Sequence, residues 1–121
     1  IKPNVLLGFR SKEQMIGLDE FEKYSNLYIS TQDGSIGEKG LVTENKIFSA
    51  SHDVIYTCGP TPMMKAIAEH ALKNNTECYA SLENKMACGI GACLCCVQNT
   101  TEGHKCTCTE GPVFNVKDII W

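Results

Sequence analysis

The last third of the chain is rich in cysteines, and three of them have a spacing that suits an iron–sulfur cluster. Only Cys58 and Cys78 of the eight cysteines lie before residue 88. Cys88, Cys93 and Cys96 form the pattern C-x4-C-x2-C, which is the spacing of plant-type [2Fe–2S] proteins. A loop with this spacing allows several thiolates from one short segment to converge on a cluster. The pattern therefore predicts a [2Fe–2S] site.

The residues around these cysteines fit the same chemistry. Gly89 and Gly91 lie inside the loop, and glycine adopts backbone angles that are closed to other residues. Backbone N–H groups can then point at the sulfurs of an anionic cluster and tune its potential. A fourth ligand must come from farther along the chain, where Cys106 and Cys108 are the two candidates.

Two other uses of the cysteines remain open at this point. A zinc ion could take four thiolates, here Cys93, Cys96, Cys106 and Cys108, although the glycine-rich C-x4-C opening has no special purpose in such a site. Disulfides are disfavoured because the cysteines crowd at one end and no secretory signal precedes the first apolar segment. A metal or cluster site in a reducing cytosol fits the distribution better, so we expect a cytoplasmic protein.

Composition excludes several classes of partner. The 121 residues are 43% apolar and carry a net charge of −3 without a basic run, so we expect no nucleic-acid partner, because phosphate binding needs clustered Lys and Arg. The apolar stretches are too short to cross a bilayer, so we expect no membrane association. The chain begins at Ile1 rather than Met, and we expect further sequence upstream.

Residues 1–82 alternate between strand and helix patterns, which predicts a parallel sheet. Strands are predicted at 4–9, 27–31, 53–58 and 77–82, a helix at 12–24 and a short helix at 41–45. The clearest helix is predicted from Thr61 as N-cap and Pro62. Its apolar stripe consists of Met64, Ile67, Ala68, Ala71 and Leu72.

The sequence pattern changes near residue 83. From there, Gly, Cys, Thr and short segments replace the patterns that predict helices. The predicted fold class is α/β, with a partial parallel-sheet nucleotide-binding domain at 1–82 and a small β-rich [2Fe–2S] module at 83–121. In open parallel sheets, ligands bind beyond the carboxyl ends of the strands. Arg10, Asp33 and the Cys58-Gly59-Pro60 segment follow three of the predicted strands, although each can also be an ordinary loop.

Two segments resemble a known family. SLENKMACGIGACLCC at residues 81–96 and CTEGPVF at residues 108–114 resemble the electron-transfer subunit of NAD-dependent, class 1B dihydroorotate dehydrogenases. YTCGPTPMM at residues 56–64 is similar to a segment that recurs across ferredoxin–NADP reductase-like flavoproteins. The resemblance runs through essentially the whole chain but covers only the C-terminal part of such a subunit.

The resemblance implies a set of site residues. The cluster ligands would be Cys88, Cys93, Cys96 and Cys108, which leaves Cys58, Cys78, Cys95 and Cys106 as spare thiols. Cys95 and Cys106 depart from the family pattern and leave the fourth ligand open to a swap. Cys58, Gly59 and Pro60 would lie near the nicotinamide of NAD, and Arg10 and Asp33 are expected to contact its adenosine side.

The resemblance also implies a function. The intact subunit would pass electrons between NAD(H), FAD and the FMN of a dihydroorotate-oxidising subunit in a heterotetramer, as part of pyrimidine biosynthesis. No side chain of this chain would act as an acid or base. Without the family's flavin-binding barrel and phosphate loop, we expect this segment alone to be inactive. The alternatives are a related reductase subunit serving a hydrogenase, a sulfide dehydrogenase or a ferredoxin:NADP transhydrogenase, and a zinc-bound structural module.

Overall fold

The computed structural model describes residues 2–121 and has a mixed α/β architecture with one parallel and one mixed sheet. The chain divides into two compact units, Ile1–Ser51 and His52–Trp121. Across residues 2–121, the helices are all too short or too polar to cross a membrane.

The first unit is built on a parallel sheet of three strands. Strand β1 (Asn4–Phe9) pairs with β2 (Asn26–Thr31), and β2 pairs with the short strand β3 (Glu38–Lys39). Strand β1 has the predicted bounds, and β2 begins one residue before its predicted start. The carboxyl ends of β1 and β2 therefore lie side by side, with Phe9 opposite Thr31.

The helix predicted at 12–24 is broken into two pieces. A 3-10 turn covers Lys12–Gln14, and helix α1 covers only Leu18–Tyr24. Gly17 separates them with a φ of 70°, in the left-handed region that interrupts a right-handed helix. The short helix predicted at 41–45 is a 3-10 turn at Val42–Glu44.

The second unit contains a mixed sheet in the order β4-β5-β8. Strand β4 (Val54–Cys58) and β5 (Glu77–Ser81) are parallel, whereas β8 (Val113–Asn115) is antiparallel to β5. The parallel prediction is therefore right for β4 and β5 but does not extend to β8. A separate hairpin joins β6 (Val97–Thr100) to β7 (Gly103–Cys106), and the short helix α3 (Thr107–Glu110) follows it.

Helix α2 (Thr61–Lys73) connects β4 to β5. Thr61 is its first helical residue and Pro60 its N-cap, so the predicted cap is displaced by one residue. The buried residues of α2 are Met64, Ile67, Ala68 and Ala71, as the apolar stripe predicts. The inclusion of Leu72 was wrong, since it is 42% exposed. At about 100° per residue, Leu72 lies at the edge of the stripe.

The predicted boundary between residues 82 and 83 falls inside the second unit. Strand β8, from the predicted cluster module, pairs with β5 of the predicted nucleotide domain through Ala80 and Phe114. The two compact units are defined by contacts between residues, whereas the predicted boundary separates the nucleotide-binding segment from the cysteine-rich segment. The domain boundary therefore stays a prediction.

We expect Phe114→Ala to lower the free energy of unfolding by about 3–5 kcal/mol, because it removes a buried aromatic side chain from a packed core. Phe114 is buried on β8 opposite Ala80, and its ring packs against Gly111. Val113→Ala is the matched control, because the neighbouring Val113 is exposed. Chemical denaturation of both variants measures the difference, and equal losses would contradict the assignment of Phe114 to the core.

Candidate functional site

The cysteine loop is exposed and carries several residues in the left-handed region of backbone space. Gly89, Gly91 and Leu94 have φ values of 70°, 77° and 56°. These angles turn backbone N–H groups towards the sulfurs. The N–H groups of Ile90 and Cys93 donate to Cys88 Sγ at 3.5 and 3.4 Å. The N–H group of Cys95 donates to Cys93 Sγ at 3.4 Å. The loop thus has the form that stabilises anionic sulfur.

The β6–β7 hairpin brings the distal cysteines to the loop. In the hairpin, Cys106 is paired with Val97, and Val97 is the residue that follows Cys96. The N–H group of Cys108 donates to Cys96 Sγ at 3.4 Å. Cys108 is twelve residues from Cys96 in the sequence. It lies beside the loop because the hairpin turns the chain back.

The four predicted ligands form two pairs of thiols. The Cys93 N–H group donates to Cys88 Sγ and the Cys108 N–H group donates to Cys96 Sγ, each at 3.4 Å. A [2Fe–2S] cluster is held by four cysteine thiolates, and two linked pairs of cysteines fit a cluster with two irons. Across residues 2–121, no three His, Cys, Asp or Glu side chains are as close together as the ligands of a single metal ion would be.

The structure also keeps the other candidate for the fourth ligand close. Cys106 is paired with Val97, the residue that follows Cys96, so proximity to Cys96 alone does not separate Cys106 from Cys108. Cys95 lies in the loop with an exposed side chain. Cys78 is fully buried in β5, and burial raises the pKa of its thiol to about 11, which is typical of an inert structural cysteine.

Backbone hydrogen bonds favour the thiolate form in each pair. The N–H groups of Cys93 and Ile90 lower the pKa of Cys88 to about 6. The Cys108 N–H group lowers the pKa of Cys96. The hydrogen bond to Cys96 in turn raises the pKa of Cys108, and burial raises that of Cys106. Thiolates are the metal-binding form of cysteine, so these hydrogen bonds favour the form of Cys88 and Cys96 that the predicted ligand role needs.

A cleft of about 370 Å³ lies near the end of β4 and the start of α2. Gly59 and Pro60 line it together with Glu83 and Trp121, and the Cys58 thiol faces the Glu83 carboxylate at 3.8 Å. Gly59 has a φ of 146°, and a Cβ atom there would lie 2.7 Å from Met63 Cε. The structure thus brings the Cys58-Gly59-Pro60 segment to a cleft, and its nucleotide role stays a prediction.

The cleft contains groups that sequence reasoning did not assign to a site. Asn84 and Gln98 line it, and so does Trp121, whose indole N–H group is buried without a hydrogen-bond partner. Asn84 follows Glu83 directly, and its side chain also reaches the cysteine segment. The only sequence signal for Asn84 was its place between the end of a strand and the cysteine loop.

In the first unit, the ends of β1 and β2 bring Arg10 and Asp33 together. The Asp33 N–H group donates to the Arg10 carbonyl at 3.2 Å. The Ser35 hydroxyl and N–H group both donate to the Asp33 carboxylate, at 2.7 and 2.9 Å, and lower its pKa. The predicted contact of Arg10 and Asp33 with a nucleotide stays a prediction.

Comparison with known proteins supports the cysteine site. Residues 83–120 match the model of the iron–sulfur cluster binding domain of dihydroorotate dehydrogenase B. A dihydroorotate dehydrogenase B (NAD(+)) electron transfer subunit from Fusobacterium nucleatum is 41% identical, over 98% of this chain and 48% of that protein. A probable subunit of the same kind from Methanocaldococcus jannaschii is 46% identical, over 94% of this chain and 45% of that protein. The predicted family resemblance is confirmed.

The resemblance to this family has a defined extent. The chain spans about half the length of the curated relatives it matches, such as 46% of the Geobacillus subunit, which is 43% identical. A solved structure described as an NADH-dependent reduced ferredoxin–NADP oxidoreductase, studied for flavin-based electron bifurcation, superposes with a TM-score of 0.85. It is 32% identical and covers 99% of this chain, while the chain covers 45% of it. The α/β fold is therefore shared with a pyridine-nucleotide reductase.

Proposed function

We propose that this chain binds a [2Fe–2S] cluster through Cys88, Cys93, Cys96 and Cys108, and that its function is electron transfer. The observation that carries the proposal is the arrangement of these cysteines in two pairs, in each of which the backbone N–H group of one cysteine donates to the sulfur of the other. The cluster supplies a site that accepts and releases one electron at a time. The protein contributes the four thiolates and the backbone N–H groups that face them.

The cleft beside Gly59 is the proposed nicotinamide site. Gly59 and Pro60 line it, and glycine permits the φ of 146° that the backbone adopts there. Glu83 also lines the cleft, and the Cys58 thiol lies 3.8 Å from its carboxylate. Arg10 and Asp33 are proposed to contact the adenosine side of NAD, and FAD is proposed to bind in the intact subunit. The solved reductase, which is described as NADH-dependent, supports these assignments.

The proposed partner is an FMN-containing dehydrogenase that oxidises dihydroorotate, in a heterotetramer of the cytoplasm. The support comes from the relatives, which are named as electron transfer subunits of dihydroorotate dehydrogenase B (NAD(+)). The proposed net reaction is the oxidation of dihydroorotate to orotate with reduction of NAD⁺, as a step of pyrimidine biosynthesis. Two electrons leave dihydroorotate in this reaction and two reach NAD⁺.

One observation favours a second candidate function. The solved structure that superposes on this chain is described as a reduced ferredoxin–NADP oxidoreductase, which favours transfer between NAD(P)H and ferredoxin. The relatives named as dihydroorotate dehydrogenase subunits have higher identities of 37–46%, so we place the dihydroorotate function first. The two functions share the fold and the cluster and differ in the electron partner.

We expect the chain, purified without oxygen, to hold about two irons and about two acid-labile sulfides, since four cysteines are the usual ligand set of a [2Fe–2S] cluster. Iron and sulfide assays give the stoichiometry. Dithionite reduction should produce a rhombic paramagnetic signal from one reduced binuclear cluster. Stoichiometric zinc without labile sulfide would contradict the proposal and favour a structural zinc module.

A further inference from the structure

A buried hydrogen-bond bridge fastens the loop to the distal cysteine segment. Thr107 is fully buried, and both its N–H group and its hydroxyl donate to the Cys96 carbonyl, at 3.1 and 2.9 Å. The Asn84 side-chain amide donates to the same carbonyl at 3.3 Å and to the Thr107 hydroxyl at 3.1 Å. Three donors therefore converge on the carbonyl oxygen of one proposed ligand.

Thr107 stands between the two cysteines that compete for the fourth ligand position. Both cysteines lie near Cys96: Cys106 is paired with Val97, the residue that follows Cys96, and the backbone of Cys108 is hydrogen-bonded to the Cys96 sulfur. Their backbones are held differently: the Cys108 N–H group donates to Cys96 Sγ at 3.4 Å, whereas the Cys106 N–H group donates to the Glu110 carboxylate at 2.7 Å. A rotation of this tripeptide would change which thiol faces the cluster.

We propose that Thr107 and Asn84 are positioning residues that select Cys108 over Cys106 as the fourth cluster ligand. This inference rests on the proposed function, because it presumes a cluster on Cys96. The bridge holds the Thr107 backbone against the Cys96 carbonyl, and Cys108 then follows with its N–H group on the Cys96 sulfur. Without the bridge, the segment gains freedom and Cys106 competes for the same iron.

The chemistry of the bridge makes it specific for these two side chains. The Thr107 hydroxyl donates to Cys96 and accepts from Asn84, so it uses both its donor and an acceptor position. Valine has nearly the shape of threonine but can make neither bond. A valine at this position would leave the partly buried Asn84 amide with one acceptor fewer, and polar groups that lose a partner away from water are unfavourable.

The test compares Thr107→Val and Asn84→Leu with the wild-type chain, each purified without oxygen and reduced with dithionite. We expect both variants to keep bound iron but to show a second paramagnetic signal beside that of the wild type. Adding Cys106→Ala to either variant should remove the second signal, because alanine cannot bind iron. Thr107→Ser retains the hydroxyl group, so this variant should show the single signal of the wild type.

A matched control separates this role from general loss of packing. Thr100 is also buried, and its hydroxyl donates to the Gly103 carbonyl at 2.8 Å in the same hairpin. Thr100→Val removes a comparable hydrogen bond without touching the Cys96 carbonyl, so its signal should stay single. A second signal in Thr100→Val would show that any loosening of the hairpin has this effect and would overturn the inference.

The remaining outcomes decide between the inference and the proposed function. A single unchanged signal in both Thr107→Val and Asn84→Leu overturns the inference, and so does a second signal that persists after Cys106→Ala. If Thr107→Val does not fold, Asn84→Leu with and without Cys106→Ala decides alone. A wild-type chain without iron and sulfide overturns the proposed function as well, whereas a loaded wild type with unchanged variants overturns this inference only.

Discussion

Replacement of Cys96 by alanine is expected to reduce the iron content from about two atoms per chain, the number in a [2Fe–2S] cluster, to nearly none. Cys96 is 2% exposed, and its sulfur accepts the Cys108 N–H group at 3.4 Å. It lies between the loop and the hairpin, so no other loop thiol can take its position without moving both. Iron and sulfide assays and the visible spectrum measure the loss.

The same loop provides a matched control. Cys95 directly precedes Cys96, and its thiol is exposed. Cys95→Ala should therefore keep the iron, the sulfide and the spectrum of the wild type. Equal losses in the two variants would show that the loop tolerates no cysteine replacement, or that Cys95 is itself a ligand.

Single replacements of Cys88, Cys93 and Cys108 should resemble Cys96→Ala, since each residue belongs to one of the two hydrogen-bonded pairs. Cys106→Ala should resemble Cys95→Ala. An intact cluster in Cys108→Ala together with a lost cluster in Cys106→Ala would show that Cys106 is the fourth ligand of the wild-type protein.

The sequence predicted best those parts of the molecule that are local along the chain. Helix α2 was recognised from an apolar stripe and a proline near its start, both of which act within a few residues. The loop from Cys88 to Cys96 was recognised in the same way, because its spacing and its glycines lie within nine consecutive residues. The N–H groups that face the sulfurs follow from that local geometry.

Features that depend on distant contacts were not predictable. The antiparallel pairing of β8 with β5 joins residues more than thirty positions apart, such as Ala80 and Phe114, and no short pattern encodes it. The bridge from Asn84 to Thr107 spans 23 residues and depends on the folding of the β6–β7 hairpin.

The break at Gly17 was missed for a different reason. The apolar spacing of residues 12–24 favoured one continuous helix, and the single glycine was given too little weight.

Two large apolar side chains of the cysteine loop are exposed, and they lead to a prediction about the electron partner. Ile90 and Leu94 are 75% and 63% exposed, and both lie between or next to proposed ligands. Large exposed apolar side chains that cluster on a surface are typical of interaction sites. An electron partner that docks here would approach the Cys88–Cys93 pair, and the apolar side chains would be buried between the two proteins.

We expect Ile90→Glu to slow dihydroorotate-dependent reduction of NAD⁺ by about 30-fold at limiting partner concentration. The estimate assumes a loss of about 2 kcal/mol, the threshold of an interface hot spot, because a carboxylate would be buried without a partner. The assay uses the intact subunit that carries this chain, co-expressed with the FMN-containing dehydrogenase. The Ile90 N–H group that donates to Cys88 belongs to the backbone, so the spectrum of the cluster should not change.

Ile16→Glu is the control for this prediction, because Ile16 is 85% exposed and lies in the first unit, far along the chain from the cysteines. Its rate should equal that of the wild type. A high partner concentration should restore the rate of Ile90→Glu, since the change weakens docking rather than the redox site. Unchanged rates in Ile90→Glu would exclude this surface as the docking site. A different result would identify the other class of partner. If the wild-type subunit shows no activity with the dihydroorotate-oxidising dehydrogenase but is active with ferredoxin, and Ile90→Glu loses that ferredoxin activity, the electron partner is ferredoxin.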